Sequence, residues 1–236
     1  MLNKIKHILQ ATADAIMPRT CPVCNCVLGA DEPFLCRNCL NTLPLTHYED
    51  AQFNRMEQLF AGKVPIERAA ALFHYEKDSP YSAIIHDIKY RNMTHMGVWM
   101  GKQAVAMMKH SAFFDGIDIV VPVPMHPDKE AQRGYNQAHV IAQGVASATG
   151  ATLLQAIIAV KPHDTQTRKG AYDRWLNTRD TYAPAPHAHT LLAHKHILII
   201  DDVITTGATI IACAQAISHI PGIKISIFTL TAAKLT

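Results

Sequence analysis

The chain has no long apolar run and little charge of either sign. Within its 236 residues no apolar stretch approaches the roughly 18 residues of a membrane-spanning helix. Gln10, Thr12 and Asp14 interrupt the N-terminal apolar segment, which therefore does not read as a signal peptide. A net charge of +3 does not by itself indicate a nucleic-acid-binding protein. We expect a cytoplasmic globular protein without stable membrane insertion.

Two common nucleotide-binding motifs are also missing. A P-loop needs Gly-x4-Gly-Lys-Ser/Thr, and the most similar segment, residues 97–103, has three residues between its glycines and ends in glutamine. A dinucleotide-binding fold needs Gly-x-Gly-x-x-Gly after an early strand, and the sequence has none. These absences argue against a P-loop or dinucleotide-binding interpretation of the aspartate pair discussed below.

Cysteine is concentrated in one short segment. Five of the six cysteines lie within nineteen residues, and Cys21-x2-Cys24 and Cys36-x2-Cys39 are separated by eleven residues. Each pair can give two thiolates to one tetrahedral Zn²⁺. A disulfide framework is unusual without a secretion signal, and a redox Cys-x2-Cys usually occurs once. These four cysteines are predicted to hold structural zinc, with Cys26 as a conceivable substitute ligand.

Composition divides the chain into four segments. Residues 1–17 have apolar side chains at helical spacing and predict an amphipathic helix that docks on the protein's own body, with a membrane surface as the alternative. Residues 18–45 form the zinc-binding double knuckle, which is too small to bury a core without metal. Residues 46–65 are polar, are broken by proline and glycine, and are predicted to be a linker. Residues 66–236 form the main domain.

Strands alternate with helices in the main domain. Residues 69–75, 118–124 and 223–230 are predicted strands, and the second of them ends in a proline-stiffened loop. Ser79 before Pro80 predicts the start of a helix. The alternation predicts an α/β fold with a mostly parallel sheet, helices on both faces, and ligands at the carboxyl ends of the strands.

The most informative stretch is residues 196–209. Residues 197–200 predict a buried strand, with the carboxylates Asp201 and Asp202 at its end. A small-residue loop and an apolar helical pattern follow. Free backbone N–H groups and the positive end of the helix dipole would converge there on an anion. The residues predicted to bind a phosphate are Thr205, Thr206, Gly207, Ala208 and Thr209.

This stretch resembles the phosphoribosyl pyrophosphate (PRPP) motif of type I phosphoribosyltransferases. The resemblance implies that Asp201 and Asp202 hold the ribose 2′- and 3′-hydroxyls and that the following loop holds the 5′-phosphate. Mg²⁺ suits the phosphate oxygens of PRPP and is the implied metal. The alternative is a buried strand capped by surface aspartates, with the threonines as helix caps.

Several motifs together resemble the competence protein F (ComF) family over nearly the whole chain. That family couples a zinc module to a type I phosphoribosyltransferase fold. The matching motifs are the four-cysteine module, Lys89 in Ile-Lys-Tyr, Val-Pro-Val-Pro-x-His-Pro, Arg-Gly-Tyr-Asn-Gln-Ala, and Gln166 followed by Arg174 and Asn177.

The resemblance implies where PRPP binds. Residues 122–125 would form the pyrophosphate loop, with Arg133 as a nearby phosphate cation. Residues 165–179 would form a flexible hood loop that closes over PRPP. The implied ligand-binding residues outside the 205–209 loop are Lys89, Pro124, Met125, Arg133, Asn136, Gln166, Asn177, Asp201 and Asp202.

Candidate catalytic residues come from the hood loop and the acidic pair. The resemblance implies Lys169, Arg174, Asp201 and Asp202. Family members often have leucine-serine where this chain has Lys169-Gly170. Which cation reaches the pyrophosphate therefore stays open.

Four histidines precede the central strand and could suggest a metal site. A surface loop is the favoured interpretation, because their spacing does not fit a tetrahedral site. They are His187, His189, His194 and His196.

Three functions remain open. The chain could be an active phosphoribosyltransferase, a glycosyltransferase that releases pyrophosphate from PRPP. It could be a non-catalytic PRPP-, nucleotide- or single-stranded-DNA-binding factor for transformation. It could also be a zinc-based interaction module on a silent fold. The resemblance implies a role in DNA uptake or natural transformation, with PRPP and single-stranded DNA or DNA-processing proteins as candidate partners.

Overall fold

The computed structural model describes residues 18–160 and 181–233. The predicted N-terminal helix (1–17) and hood loop (165–179) lie outside these ranges. The candidate site residues outside the described ranges are Gln166, Lys169, Arg174 and Asn177.

The described elements alternate along the chain, as the sequence predicts. The strands are β1 (Ala69–Tyr75), β2 (Ile119–Pro122), β3 (Thr152–Leu153), β4 (Ile157–Ala159), β5 (Tyr182–Pro184), β6 (His196–Ile204) and β7 (Lys224–Ala233). The α-helices are α1 (Arg37–Asn41), α2 (Arg55–Gln58), α3 (Ser82–Tyr90), α4 (Thr94–Met107), α5 (Pro127–Arg133), α6 (Gln137–Thr149), α7 (Ala188–Leu192) and α8 (Ala208–Ile217). Short 3-10 helices span Tyr48–Asp50 and Lys109–Ser111.

Five strands form one parallel sheet in the order β1-β7-β6-β2-β3. Strands β4 and β5 form a separate antiparallel ribbon. The pairing of β6 with β2 ends where Ile200 lies opposite Pro122, whereas β6 continues beside β7 as far as Ile204. Residues 201–204 therefore extend beyond the end of β2, along one side of an open crevice.

The four apolar residues that begin β6 explain the two-layered core. Leu198 and Ile200 are fully buried on one face of the sheet, among residues of α3, α4 and α6. Ile197 and Ile199 are fully buried on the other face, among residues of α2, α7 and α8. Side chains alternate between the two faces of a strand, so an unbroken apolar run fits a sheet covered on both sides. The predicted fold class is confirmed.

Helices α4 and α6 cross in backbone contact because glycines lie at the crossing. A Cβ atom at Gly144 would overlap the main-chain carbonyl oxygen of Val98, and one at Gly101 would overlap that of Ile141. The close approach packs α4 and α6 side by side on one face of the sheet.

The start of α3 corrects one expectation. The predicted helix start at Ser79 is wrong, because the helix begins at Ser82 with Tyr81 as its N-cap. The Ser79 hydroxyl instead accepts a hydrogen bond from the Tyr81 N–H at 3.3 Å. This is a turn that precedes the helix, and serine favours such turns as well as N-caps.

Residues 46–65, predicted as a linker, contain two short helices. Met56 and Phe60 are fully buried against the α8 face of the sheet. Asn54 and Glu57 form a capping box at the amino end of α2, and the Asn54 amide also donates to the Ala69 carbonyl at 2.9 Å. The predicted domain boundaries stay a prediction, but this segment packs on the sheet.

The cysteine-bearing segment also packs on the main domain. Leu28, Leu35 and Leu43 belong to the same buried cluster as residues of α3, α4 and α6. The rings of Phe34 and Trp99 lie 5.7 Å apart. No helix in the described ranges has the length and apolar character needed to cross a membrane.

The chain that follows the cysteines covers an edge of the sheet. Leu45 forms an antiparallel bridge with Phe73 of β1. Thr46 N–H donates to Leu72 C=O at 3.1 Å, and His74 N–H donates to Pro44 C=O at 2.8 Å. The outer edge of β1 is therefore occupied by residues 44–46.

Candidate functional site

The sheet reverses its direction of winding between β2 and β6. From β2 the chain passes through α6 on one face to β3, and from β6 it passes through α8 on the other face to β7. In open parallel sheets such a reversal opens a crevice outside the carboxyl ends of the two strands, where ligands bind. The predicted pyrophosphate loop and aspartate pair follow β2 and end β6. They therefore lie on opposite sides of one crevice.

A cavity of about 240 Å³ lies in this crevice. The predicted site residues that line it are Lys89, Pro124, Met125, Arg133, Asn136, Asp201, Asp202 and Thr209. Val123, from the predicted loop 122–125, also lines it, and the lining residues that the sequence did not predict are His126, Lys129, Gln137, Ala159, Thr181 and Tyr182. Of these, His126 belongs to the Val-Pro-Val-Pro-x-His-Pro motif. Tyr182 comes from β5, and no local sequence pattern indicates it.

Asp202 is paired with a lysine at the floor of the crevice. Its carboxylate is largely buried, and its Oδ2 lies 2.7 Å from Lys89 Nζ. The hydroxyl of Thr231, on the neighbouring β7, donates to the main-chain carbonyl of Asp202 at 3.1 Å. Lys89 lies in the last turn of α3, so the ion pair ties that helix to β6.

Asp201 lies on the opposite side of the strand. Its Oδ1 accepts a hydrogen bond from the Asp202 N–H at 2.9 Å. Burial, and then the adjacent Asp202 carboxylate, raise the pKa of Asp201 to about 8. Burial, and then the charge of Asp201, raise the pKa of the Cys213 thiol, which places Asp201 towards α8. Without a ligand, both effects favour the protonated form of this carboxyl group.

Cations from two helix ends meet the acidic pair. Lys89 is in the last turn of α3, and Arg133 is the last residue of α5. The Arg133 guanidinium lies 5.4 Å from the centre of the Tyr90 ring. The Tyr135 hydroxyl donates to the Ile88 carbonyl and so holds the end of α5 beside the end of α3. The cavity is thus lined both by the carboxyl groups of Asp201 and Asp202 and by the cations Lys89 and Arg133.

The loop after β6 leads into the amino end of α8. Gly207 is the N-cap residue with φ of 74°, a left-handed conformation that glycine adopts without strain. The first intrahelical bond is from Ile211 N–H to Gly207 C=O at 2.8 Å. The preceding N–H groups of the first turn point out of the helix and can bind an anion. Among residues of this loop, Thr209 lines the cavity, while Thr205 and Thr206 are exposed.

Asn136 positions the loop after β2. Its Oδ1 accepts from Ala138 N–H at 2.9 Å, as the N-cap of α6, and its Nδ2 donates to Val123 C=O at 2.9 Å. Val123 N–H in turn donates to Ile200 C=O at 2.8 Å. Asn136 was predicted to bind ligand. Its amide group lines the cavity but is already engaged in holding the loop to α6 and β6.

The four predicted zinc ligands lie together. The Sγ atoms of Cys21, Cys24, Cys36 and Cys39 are all within 4.8 Å of one another, and the Cys24–Cys36 pair is 3.7 Å apart. Zn–S bonds of about 2.3 Å in a tetrahedron place sulfur atoms about 3.8 Å apart. The group could therefore hold a zinc ion with little rearrangement. Cys26 Sγ lies 3.3 Å from Cys24 Sγ, which is close enough for a substitute ligand.

The four histidines before β6 do not gather into one group of metal ligands within the described part of the chain. His189 Nε2 lies 3.4 Å from His219 Nε2, and His196 Nε2 lies 2.9 Å from the Ser226 hydroxyl. His187 and His194 are exposed. His189 lies in α7 and His196 is the first residue of β6, so the surface-loop interpretation fits only His187 and His194.

Comparisons with known proteins were made for the whole chain. No protein-family model matches it. It is 26% identical over 215 residues to the DNA utilization protein YhgH of Salmonella typhi, which covers 88% of this chain and 82% of that protein. It is 26% identical over 149 residues to competence protein F of Haemophilus influenzae, covering 61% and 63%. It is 27% identical over 104 residues to competence protein ComFC of Bacillus subtilis, covering 42% and 38%.

Among solved structures, the chain is similar to the allosteric regulatory enzyme of purine biosynthesis. The TM-score is 0.36 and the identity 18%, over 57% of this chain and 25% of that one. A likeness this partial adds nothing to the fold described above. The curated relatives and the four-cysteine group confirm the resemblance to the competence protein F family: the chain is a homologue of competence protein F and of the DNA utilization proteins.

Proposed function

We propose that the chain is a PRPP-binding protein of the phosphoribosyltransferase family that serves in DNA uptake or natural transformation and transfers or binds a 5-phosphoribosyl group. The observation that carries the proposal is the placement of the acidic pair and the α8 amino end at one crevice. Lys89 contacts Asp202 directly, and Arg133 lines the same cavity. The names of the relatives, which refer to competence and DNA utilization, support the biological part.

The ribose would bind at the aspartate pair. The Asp202 carboxylate can accept hydrogen bonds, and its ion pair with Lys89 orients it. The raised pKa of Asp201 favours its protonated form, which can donate one hydrogen bond and accept another, so the two carboxyl groups together match a diol. A charge-assisted bond to Asp202 contributes on the order of 1.5–3 kcal/mol.

The two ends of PRPP carry negative charge and need donors. The 5′-phosphate would sit at the amino end of α8, where free N–H groups and the hydroxyls of Thr205, Thr206 and Thr209 are available. The pyrophosphate would lie along residues 122–125, near Arg133. Asp201 and Asp202 are the residues that would hold Mg²⁺ together with PRPP, and the ion would supply positive charge for the leaving group.

Transfer breaks the bond between C1 of the ribose and the pyrophosphate oxygen, and the electron pair leaves with pyrophosphate. A lone pair of the acceptor base forms the new bond at C1. Charge therefore builds on pyrophosphate while the ribose becomes electron-deficient. The chain's own part is to orient the two ends, supply cations to the leaving group and exclude water.

A second candidate is a PRPP-binding factor with little turnover. The Lys89–Asp202 ion pair at 2.7 Å favours it, because a carboxylate already engaged by a lysine is stable without substrate. The same geometry would then serve recognition alone. The two candidates differ in pyrophosphate release and not in binding.

The test is calorimetric titration of the full chain with PRPP and Mg²⁺, followed by pyrophosphate release with a series of nucleobases. The parent should bind PRPP, and Asp201→Asn/Asp202→Asn should weaken binding by about 10-fold or more. Glu76→Gln removes an exposed carboxylate elsewhere and should bind as the parent does. Failure of the parent to bind millimolar PRPP would overturn the proposal. Binding without release for any base would select the second candidate.

A further inference from the structure

A second group of potential metal ligands lies away from the crevice. Ligand atoms of His47, Glu49 and Asp50 are all within 4.8 Å of one another. These residues belong to the 3-10 helix Tyr48–Asp50 and its N-cap. The Asn54 amide joins this helix to the start of β1 through the carbonyls of Tyr48 and Ala69. The group therefore lies at the amino ends of the strands, whereas the proposed PRPP site lies at their carboxyl ends.

Glu49 contributes a buried carboxylate oxygen that lacks a partner. The residue is only 5% exposed, and its Oε2 has no hydrogen-bond partner among residues 18–160 and 181–233. A buried carboxylate without a partner is costly to desolvate. The nearby Arg68 donates from its Nη2 to the main-chain carbonyl of Glu49, not to its carboxylate, and its Nε lies 3.5 Å from Glu57 Oε1 without a hydrogen-bond partner among the described residues.

Asp50 connects two histidines from different parts of the chain. Its Oδ2 lies 3.5 Å from His47 Nδ1, and its Oδ1 lies 3.0 Å from His110 Nε2. His110 belongs to the second 3-10 helix and is held by a contact of 3.2 Å between its Nδ1 and the Met107 carbonyl oxygen. Carboxylates that bind metals are commonly oriented by a second hydrogen bond of this kind.

We propose that His47, Glu49 and Asp50 bind a divalent transition-metal ion, with His110 as the residue that positions Asp50. One imidazole nitrogen and two carboxylate oxygens form a donor set without sulfur, which suits Mn²⁺, Fe²⁺ or Zn²⁺ and differs from the thiolate set of the cysteine group. The ion would satisfy the buried oxygen of Glu49. It would also clamp residues 47–50 to residues 109–111, so that its role is structural and independent of PRPP.

Mn²⁺ is the probe for this site, because it prefers oxygen and imidazole ligands to thiolates. The full chain, already carrying zinc at its cysteines, is titrated with Mn²⁺, and free Mn²⁺ is followed by its electron paramagnetic resonance signal. We expect about one bound equivalent that is retained when Asp201→Asn/Asp202→Asn removes the carboxylates of the PRPP crevice. Mn²⁺ should also raise the melting temperature of the parent.

Three variants assign the ligands. Glu49→Gln keeps the size of the side chain and should abolish the bound equivalent. His47→Asn should do the same while tolerating the left-handed backbone at this position, where φ is 55°. His110→Ala should weaken Mn²⁺ binding by about 10- to 100-fold without removing it.

Glu76→Gln, the loss of an exposed carboxylate outside the group, is the matched control and should bind Mn²⁺ as the parent does. The proposal fails if the parent binds no Mn²⁺ beyond that held by Asp201 and Asp202. It also fails if folded Glu49→Gln and His47→Asn proteins keep the full equivalent. Neither outcome would bear on PRPP binding, which is measured separately.

Discussion

At the scale of single residues, Asp201 makes stability depend on pH. Its pKa is raised from 3.8 to about 8 in the folded chain. Between these values the folded state binds more protons than the unfolded state, so the free energy of unfolding falls as pH rises. The slope contributed by one such group is at most about 1.4 kcal/mol per pH unit.

Asp201→Asn should remove this slope, because an amide does not titrate. Urea denaturation of the parent and the variant at several pH values between about 4 and 8 measures the difference. Asp118 provides the control, since the hydrogen bond from His196 N–H lowers the pKa of its carboxyl group. Asp118→Asn should lose stability that is present above the unfolded pKa and disappears as pH falls. Equal pH slopes in parent and Asp201→Asn would contradict the assignment.

The Lys89–Asp202 pair leads to a coupling experiment. Lys89→Met leaves a largely buried carboxylate without its partner and should destabilise the fold by about 1–3 kcal/mol, less than for a fully buried pair because Lys89 is 23% exposed. The double variant Lys89→Met/Asp202→Asn should recover part of that loss. A thermodynamic cycle from urea denaturation gives the coupling free energy. Additive effects of the two changes would mean that the pair contributes no coupling.

Several site residues could be predicted because their chemistry is local. The aspartate pair, Arg133 and Thr209 follow from short motifs, and the structure brings them to one cavity. Asn136 lines that cavity too, but its amide holds the loop after β2, a role that depends on the distant Val123 carbonyl. Tyr182 comes from a ribbon whose partner strand and placement no spacing in the sequence reveals.

At the scale of elements, two glycines determine how closely helices α4 and α6 pack. Alanine is a better helix former than glycine by about 1 kcal/mol. Gly144→Ala should nevertheless destabilise the protein by about 1–3 kcal/mol, because its Cβ would overlap the Val98 carbonyl. Thermal unfolding is the measurement.

Ser147→Ala is the matched control for that change. Ser147 is an exposed residue of the same helix, so its replacement alters helix propensity without a steric conflict. It should be neutral or slightly stabilising. If Gly144→Ala stabilised the protein as much as Ser147→Ala, the two helices would be free to separate.

Periodicity predicts elements well where burial is uniform. Residues 69–75 and the start of β6 are apolar and are confirmed as strands, and Gly150 ends α6 as a C-cap. The helix start predicted at Ser79 is wrong because a serine before proline is typical of both a helix N-cap and a turn. Residues 46–65 are broken by proline and glycine, yet the buried Met56, Phe60 and Val64 anchor them. The α-helix in this segment has only four residues, which is too short for a periodic pattern to predict.

At the scale of the whole molecule, the cysteine group supports one face of the core. Leu28, Leu35 and Leu43 pack with residues of α3, α4 and α6, so loss of metal should loosen more than the cysteine loops. Purified protein should contain about one zinc equivalent, and a chelator should lower its melting temperature. Cys36→Ser should reduce the zinc content, whereas Cys213→Ser, in the core of α8, should not. Full zinc content in Cys36→Ser would exclude the four-thiolate site.

Residues 44–46, which pair with the outer edge of β1, should also limit aggregation. An open edge strand offers unpaired N–H and C=O groups to another chain, and natural sheets avoid this by covering or shortening the edge. Here the edge is covered by residues that follow shortly after Cys39, the last cysteine of the proposed zinc group. Metal loss that frees Leu45 from Phe73 would therefore leave the edge of β1 open to pairing with a second molecule. Light scattering should therefore rise after chelation, and it should rise more steeply at higher protein concentration.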